Sequence, residues 1–310
     1  MKPQRREFLQ TLAAGAAVLG LPGTGFGQPG PPITKLADAI TLISGVGNNI
    51  VALKSDSGYL LVDCGDALHG QAILGLAVGK VSTVFNTHWH PESTGGNDAM
   101  AAAGAKLISH VSTQLWMTQE IIHDWADWGN KPGWEKKVYA PRAKAALPTE
   151  TFYTTGKMTF GGEPIEYGLL QNAHTDGDIF VHFMNANVLV VGDAVQPGRF
   201  PYLDYQTGGW IGGMQTAQRT ILARTNDATK IVPAVGPVMT KAEVQAGLDL
   251  LTKVREELVK LMKQGKGAQD MIDAQAMKQF EGQLTGDPAQ FLFTAYRGMW
   301  AHVRELGGIV

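Results

Sequence analysis

The sequence predicts a mixed α/β (α+β) fold in which layers of helix and sheet surround a core made of two sheets. Short apolar runs between Gly and Asn turns predict strands, and longer runs with helical spacing lie between them. This alternation occurs in two successive halves of the chain. The 310 residues, 44% of them hydrophobic, are enough to bury one large core or two small ones. Two such halves favour two packed sheets with helices outside them.

The N-terminal half is predicted to form one sheet with helices in its connections. Its strands are expected at "AITLIS" (39–44), "NIVALKS" (49–55), "GYLLVD" (58–63), "VSTVFN" (81–86) and "AKLISH" (105–110). Helices are expected at 67–79 and 111–124 because apolar residues recur there at helical spacing.

The second half repeats the theme and then becomes helical. Strands are predicted at 151–153, 157–160, 163–170, 178–184, 187–191 and "KIVPAV" (230–235), with a helix at 208–224. From Lys241 onward an apolar stripe at helical spacing consists of Leu248, Leu251, Val254, Leu258 and Leu261. We therefore expect a main domain at 28–245 and a helical extension at 246–310 that packs on it.

The first 27 residues have the pattern of an export signal. Arg5 and Arg6 precede a short apolar run (8–21), and small residues then offer a cleavage site before Gln28. The pair resembles a twin-arginine signal. The run is shorter than the roughly 20 residues that span a bilayer. We expect a periplasmic or secreted protein without a stable membrane span once the signal is removed.

Charge and cysteine content exclude other classes. The net charge is −2 and the sequence has no long basic run, so a nucleic-acid partner has no electrostatic support. Cys64 is the lone cysteine and cannot form a disulfide within the chain. We expect a small-molecule substrate.

Histidines and an aspartate at strand ends indicate a metal site. His88 and His90 follow "VSTVFN", and in an extended segment residues i and i+2 point the same way. Gly95 and Gly96 are expected to let the backbone turn tightly into a helix. His174 in "NAHTDGD" and Asp193 in "NVLVVGDAV" lie in further turns next to apolar strands. Three histidine ligands and a water are typical of a catalytic zinc site.

The order of these motifs resembles the metallo-β-lactamase-fold hydrolase superfamily. The resemblance rests on "VDCGD", "THWHPE", "TGGN", "HTDGD", "VVGDA" and "VPAVGPV", and it covers about 35–245. It implies an αββα sandwich with metals at one edge of the paired sheets. It also implies that His88, His90 and His174 are the ligands of a first metal and that Asp193 bridges to a second. Asp63 would support the site structurally.

The sequence departs from that family at the second metal. The positions that usually carry Asp and His after the second histidine are Glu92 and Ser93, and a ligand histidine near the end is replaced by Val235. A second metal would keep Asp193, Glu92 and waters only, and oxygen ligands favour hard cations over zinc. We expect one metal ion, for which zinc is the first candidate and iron and manganese stay open, with the second site empty or weak.

The resemblance implies a hydrolase that uses a metal-bound hydroxide on an ester, thioester or amide (lactam) bond. Glu92 is the candidate general base, with Asp193 as the second catalytic carboxylate. Ser93 is interpreted either as an oxyanion donor or as a helix N-cap. The alternative function is a degenerate, non-hydrolytic protein that binds a metal or ligand on the same fold. A redox role is the third option.

Aromatic residues supply the candidate substrate contacts. Trp128 and Trp134 are predicted to form an apolar wall at the metal edge, whereas Trp116 and Trp125 are interpreted as helix packing. After Asp193, the candidates for contact with a polar or carboxylate group of the substrate are Arg199, Tyr202 and Tyr205. The remaining histidines of interest are interpreted as structural, namely His110, His123, His182 and His302.

Overall fold

A computed structural model describes residues 30–76, 80–123 and 136–306, without the side chains of residues 305 and 306. The proposed export signal at 1–27 and the tryptophans Trp125, Trp128 and Trp134 lie outside the described residues. Within the described part of the chain, two larger sheets and a two-stranded sheet are accompanied by helices. This is the mixed fold of helices and sheets that the sequence predicts.

The first sheet comes from the N-terminal half. Its strands are β1 (Ile33–Lys35), β2 (Ile40–Ile43), β3 (Ile50–Ser55), β4 (Gly58–Val62), β5 (Val81–Phe85), β6 (Lys106–His110) and β9 (Glu150–Phe152). They are hydrogen-bonded in the order β1-β2-β3-β4-β5-β6-β9. The pairs β4–β5, β5–β6 and β6–β9 are parallel, so β4 and β5 end at the same edge of the sheet.

The second sheet comes from the C-terminal half. Its strands are β10 (Thr155–Phe160), β11 (Glu163–Leu169), β12 (Ile179–Phe183), β13 (Val188–Gly192) and β14 (Lys230–Pro233), in that order. The first three pairs are antiparallel and β13–β14 is parallel. The predicted strands agree with these bounds to within two residues.

The main core lies between the two sheets because alternate residues of each strand face inward. In β3, Val51 and Leu53 belong to the core between the sheets, whereas Ile50 and Ala52 face the outer helices. In β12, Val181 faces the same inner core. One buried cluster holds inward residues of both sheets, which shows that the sheets pack face to face.

Helices cover both outer faces, which completes an αββα sandwich. On the first sheet lie α1 (Gly70–Leu76), α2 (Pro91–Thr94), α3 (Asn97–Ala102) and α4 (Val111–Met117). On the second sheet lie α5 (Ile211–Ala223) and the first turns of α6 (Lys241–Lys263), through Ile221, Val244 and Leu248. The layered arrangement places the sheet ends, not the sheet faces, where loops can form a site.

The C-terminal helices form a second core against α5. After α6 come α7 (Ala268–Asp273) and α8 (Pro288–Ala301). Val254 and Leu258 of α6 are fully buried together with Trp210, Met214 and Phe291. The long helix begins with a capping box between Thr240 and Glu243. It starts at Lys241, so the predicted boundary at 245/246 falls within its first two turns.

The predicted helix at 111–124 is too long. Helix α4 ends at Met117, and β7 (Ile121–His123) pairs antiparallel with β8 (Lys137–Tyr139). Ile121 and His123 are buried and Ile122 is exposed, which is the alternation of a strand. The strand has only three residues, and such a short stretch cannot be distinguished from a helix by sequence periodicity.

Gly95 and Gly96 adopt ordinary helical dihedral angles, so a tight turn is not what requires glycine there. A Cβ on Gly96 would lie 2.3 Å from the carbonyl oxygen of Cys64. The expectation of special turn geometry is therefore wrong, and the physical reason for glycine is close backbone packing against the loop after β4.

Among the described residues, we find no helix whose length and apolar character suit a membrane crossing.

Truncation of the fully buried Leu258 tests the second core. Leu258→Ala is expected to lower the free energy of unfolding by about 2–5 kcal/mol, because it leaves a cavity between α6 and the C-terminal helices. Urea denaturation measures the change. The exposed Glu256 on the same helix gives the matched control, and Glu256→Gln should stay within about 0.5 kcal/mol. Equal stability of Leu258→Ala and the native protein would contradict the packing.

Candidate metal centre

Three histidines from distant parts of the chain meet at one edge of the paired sheets. His88 and His90 lie between β5 and α2, and His174 lies in the loop between β11 and β12. Their ring centroids are 4.6–5.0 Å apart, with the rings close to perpendicular to one another. One nitrogen from each ring lies within 4.8 Å of the others, and all three residues are buried. The described residues thus contain a three-imidazole cluster.

A buried relay orients the ring of His88. Asp63 accepts hydrogen bonds from the backbone N–H and the hydroxyl of Thr87, both at 2.7 Å. The Thr87 Oγ1 lies 3.1 Å from His88 Nδ1. Since the hydroxyl proton goes to Asp63, the Nδ1–H of His88 donates to Thr87 and Nε2 keeps its lone pair. His88 Nε2 is buried and has no hydrogen-bond partner among the described residues.

Asp204 orients the second histidine through its other nitrogen. Its Oδ2 lies 3.0 Å from His90 Nε2 and accepts a hydrogen bond of 2.6 Å from Thr207. Its Oδ1 lies 3.2 Å from His123 Nε2, and His123 Nδ1 lies 3.0 Å from the Tyr202 hydroxyl. An ionised carboxylate only accepts, so His90 Nε2 carries the proton and Nδ1 is left for a metal.

Asp178 and Gly209 fix the loop that carries His174. The Asp178 carboxylate accepts the backbone N–H groups of His174 (2.6 Å) and Thr175 (2.7 Å). Gly209 packs directly on this loop, since a Cβ there would lie 1.9 Å from the carbonyl oxygen of His174. The His174 carbonyl also accepts the N–H of Asp204 at 3.0 Å. The segment "PYLDYQTGGW" (201–210) therefore supports both His174 and His90.

The protonation of these groups suits a metal. Burial lowers the pKa of His88 and of His174 well below the usual range, and the neighbouring His90 adds to the effect, so both rings are neutral. Burial alone would raise the pKa of Asp204, but hydrogen bonds from His123 and His90 hold it well below its usual value. Burial would also lower the pKa of His90, but the hydrogen bond to Asp204 and the negative charges of Asp204, Glu92 and Asp193 raise it. A metal binds the neutral imidazole, so His90 must lose its extra proton when its Nδ1 takes up an ion. The residues fit a metal ion.

Asp193 and Glu92 lie beside the cluster. Asp193 follows β13, and its Oδ2 lies 3.5 Å from His88 Nε2. Burial raises the pKa of Asp193 to about 6, while Arg199 and His90 oppose that rise. The Glu92 carboxylate, about half exposed, lies 3.8 Å from His90 Nδ1. Both predicted catalytic carboxylates thus stand at the face of the cluster.

Ser93 and Val235 stand at the two positions where histidine ligands of a second metal would be expected, and neither side chain contributes a ligand. Ser93 is fully buried, donates to Asp63 at 3.2 Å and accepts from Asn48 at 2.7 Å. It neither caps α2 nor faces the cavity, so both interpretations of its hydroxyl are replaced by a buried structural role. Val235 has no donor atom and is 42% exposed.

A cavity of about 350 Å³ opens in front of the histidines. His90, His174, Glu92 and Asp193 line it on the metal side. The other lining residues come from β8, the loop after Asp193 and the C-terminal extension, namely Lys137, Tyr139, Gln196, Arg199, Phe200, Pro201, Tyr202, Gly286, Asp287, Gln290, Phe291 and Thr294. The extension is thus a wall of the candidate site.

The predicted substrate residues fall in different places. Tyr202 lines the cavity, whereas Tyr205 packs on Phe293 with ring centroids 6.0 Å apart and is not among the lining residues. Trp128 and Trp134 lie outside the described residues, which end at His123 and resume at Lys136 on either side of them. Trp116 packs near Met117 and donates to Asp176 at 2.7 Å, as expected for a structural side chain.

Sequence reasoning missed Asp204 and the role of His123. Asp204 directly follows the apolar run "FPYL", and a carboxylate at such a point was the one local signal for a buried acid. His123 was interpreted as a satisfied structural histidine, and its contacts with Asp204 and Tyr202 also connect the candidate metal ligand His90 to the cavity wall. No sequence pattern links residues so far apart.

Comparisons with known proteins agree with this geometry. The family described as "Metallo-beta-lactamase superfamily" matches residues 43–235. A metallo-beta-lactamase from Pontibacter korlensis superimposes with a TM-score of 0.54 at 18% identity, covering 72% of this chain and 99% of that chain. DIM-1 metallo-beta-lactamase superimposes with a TM-score of 0.53 at 16% identity, covering 73% and 99%. No curated protein matches the sequence significantly. At these identities, the two structures support the fold alone.

Removal of the Asp204 charge tests the support of His90. Asp204→Asn is expected to weaken metal binding by about 10–100-fold, because the amide cannot hold His90 and His123 in their protonated-Nε2 form. Competition with a fluorescent chelator measures the affinity. The exposed Asp249, changed to Asn, is the control and should bind metal like the native protein. Unchanged affinity in a folded Asp204→Asn variant would contradict the arrangement.

Proposed function

The chain belongs to the metallo-β-lactamase superfamily, and from this premise we propose that it is a metal-dependent hydrolase of a small-molecule ester, thioester or amide (lactam) bond. The observation that carries the proposal is the cluster of His88, His90 and His174, of which His90 and His174 line the cavity. A cluster retained only as structural support has no need of a cavity of about 350 Å³ in front of it.

The three histidines would hold one metal ion, for which we propose zinc. Imidazole nitrogen is a preferred zinc ligand, and a set of three leaves a position open for catalysis. When bound, the ion supplies Lewis-acid chemistry, because it polarises a carbonyl oxygen and lowers the pKa of a coordinated water.

Glu92 is placed to accept the proton from the attacking water. Its Oε1 lies 3.8 Å from His90 Nδ1, and its half-exposed carboxylate lines the cavity on the side of the histidines. It can pass the proton to the leaving group as the bond to the acyl carbon breaks. Asp193, with its Oδ2 3.5 Å from His88 Nε2, orients the same water by accepting a hydrogen bond.

The cavity walls orient the substrate. The ring of Tyr139 lies parallel to that of His90, with centroids 6.5 Å apart, and borders the cavity on that side. Tyr202 also lines the cavity, its hydroxyl is bonded to His123, and its ring centroid is 5.7 Å from that of His174. A flat acyl or aromatic group would pack against such rings.

Elemental analysis and a substrate panel test the proposal together. The protein as purified should contain close to one metal ion per chain, and His174→Ala should lose most of it, since a ligand is removed. Chelation should abolish hydrolysis of ester, thioester or lactam reporters, and added zinc should restore it. A protein without metal would overturn the proposal. Metal without turnover of any reporter would favour the non-hydrolytic binding protein instead.

Glu92→Gln separates metal binding from turnover. We expect kcat to fall by about 10²–10⁴-fold with metal content unchanged, because the proton acceptor is lost and the three imidazoles are kept. Glu256→Gln, an exposed change on α6, is the matched control and should leave kcat as it is. A Glu92→Gln variant with full activity would remove Glu92 from the mechanism.

Export is proposed from the first 27 residues alone. Replacing Arg5 and Arg6 by lysine should leave the full-length protein in the cytoplasm of a host that has the twin-arginine pathway, since the arginine pair is the recognised feature. Cell fractionation and immunoblotting measure this. Lys2→Gln, which keeps both arginines, should still yield the shorter periplasmic form. Export of the double lysine variant would contradict the assignment.

A further inference from the structure

Arg199 brings a positive charge to the cavity beside the metal cluster. It lies in the loop after Asp193 and lines the cavity together with Glu92, His90 and His174. One of its terminal nitrogens (NH2) lies 3.5 Å from Asp193 Oδ1, and its side chain is 37% exposed. A guanidinium carries five N–H groups and stays protonated in proteins, so those that do not face Asp193 are available to the cavity.

Asp193 stands between the histidine cluster and the guanidinium of Arg199. Its Oδ2 faces the cluster, 3.5 Å from His88 Nε2, and its Oδ1 faces Arg199 at the same distance. An ionised carboxylate has two accepting oxygens, so it can face a separate group with each of them. Here the group on that second side is the guanidinium.

Few groups beside Asp193 Oδ1 could bind a second metal ion. Ser93 is buried between Asp63 and Asn48, and Val235 has no donor atom. Within the described part of the chain, the three histidines are the one group of His, Cys, Asp or Glu side chains whose geometry suits a metal. Glu92 and Asp193 alone remain, and a cation placed beside Asp193 Oδ1 would be repelled by Arg199.

The C-terminal extension holds Arg199 in place. The backbone of Thr285 exchanges hydrogen bonds with the loop on both sides of Arg199, with Thr285 N–H donating to Gly198 and Phe200 N–H donating to Thr285, each 2.9 Å. The ring of Phe200 stacks on Phe291 of α8, with centroids 5.3 Å apart. The backbone on both sides of Arg199 is therefore fixed by contacts with the C-terminal extension.

We propose that the guanidinium of Arg199 takes the place of a second metal ion, so that the site binds one ion and Arg199 supplies the second positive charge. This rests on the proposed hydrolase function for its catalytic part only. In hydrolysis the water oxygen bonds to the acyl carbon, and the bond to the leaving atom breaks with its electron pair on that atom. Arg199 stabilises this negative charge until the leaving atom takes the proton held by Glu92, and it stays protonated throughout.

Metal titration tests the charge replacement without any turnover. Stripped protein is titrated with Co²⁺ or Zn²⁺ in the native form, in Arg199→Gln and in Arg199→Lys. The first equivalent should bind alike in all three, while the second should bind about tenfold or more tighter in Arg199→Gln only, because only that variant lacks the repelling charge. Arg219→Gln, an exposed change on α5, should match the native protein.

Two results of this titration would overturn the proposal. One is tight binding of two equivalents by the native protein, and the other is a second equivalent that binds equally weakly in Arg199→Gln. A native protein that binds no metal would overturn the proposed function and this inference together.

A series of aryl esters with one acyl group and leaving phenols of increasing pKa tests the catalytic part. The kcat of Arg199→Gln should fall by about tenfold with the best leaving group and by about 10²–10³-fold with the poorest, whereas Arg199→Lys should recover part of the loss. A purely structural role predicts the same loss across the series, and that result would overturn the inference. If the native protein turns over no substrate, the hydrolase proposal fails, and the metal titration still decides whether Arg199 replaces the second ion.

Discussion

The orientation of three buried imidazoles by groups behind them is the constraint on which the candidate site depends. His88 is aligned through Thr87 by Asp63, and His90 is aligned by Asp204 through its opposite nitrogen. The loop of His174 is tied to the carboxylate of Asp178. Burial keeps the rings of His88 and His174 neutral. The energetic cost of burying these polar rings is offset by hydrogen bonds from the groups behind them and, when a metal binds, by coordination at the ring nitrogens that face it.

The fold delivers these groups because both sheets end at the same edge. Parallel pairing of β4 and β5 brings Asp63 next to Thr87, and the second sheet contributes His174 and Asp193 from the loops around β12 and β13. The C-terminal extension then closes one side, where Thr285 holds the loop that carries Arg199. The chemistry of the site therefore depends on all parts of the described chain, although the family match ends at residue 235.

Local patterns in the sequence were sufficient for the strands of the two larger sheets other than β1, for the layered fold and for the three histidines, because each leaves a signal within a few residues. Ile121–His123 was assigned to a helix since its pairing with Lys137–Tyr139 depends on a partner 14 or more residues away. Asp204 and His123 escaped notice for the same reason, as their contacts join residues about 80 to 115 positions apart. The need for glycine at 95 and 96 comes from packing on the loop after β4, at Asp66 and Ala67 for Gly95 and at Cys64 for Gly96, which only the folded chain shows.

X-ray absorption at the metal edge of the protein as purified tests the central claim most directly. The account predicts a coordination shell that contains three imidazole nitrogens at about 2.0–2.1 Å, if the metal is zinc, with a single light-atom ligand besides them and no second metal nearby. A shell made only of oxygen atoms, or a metal–metal vector at about 3.5–4 Å, would contradict it.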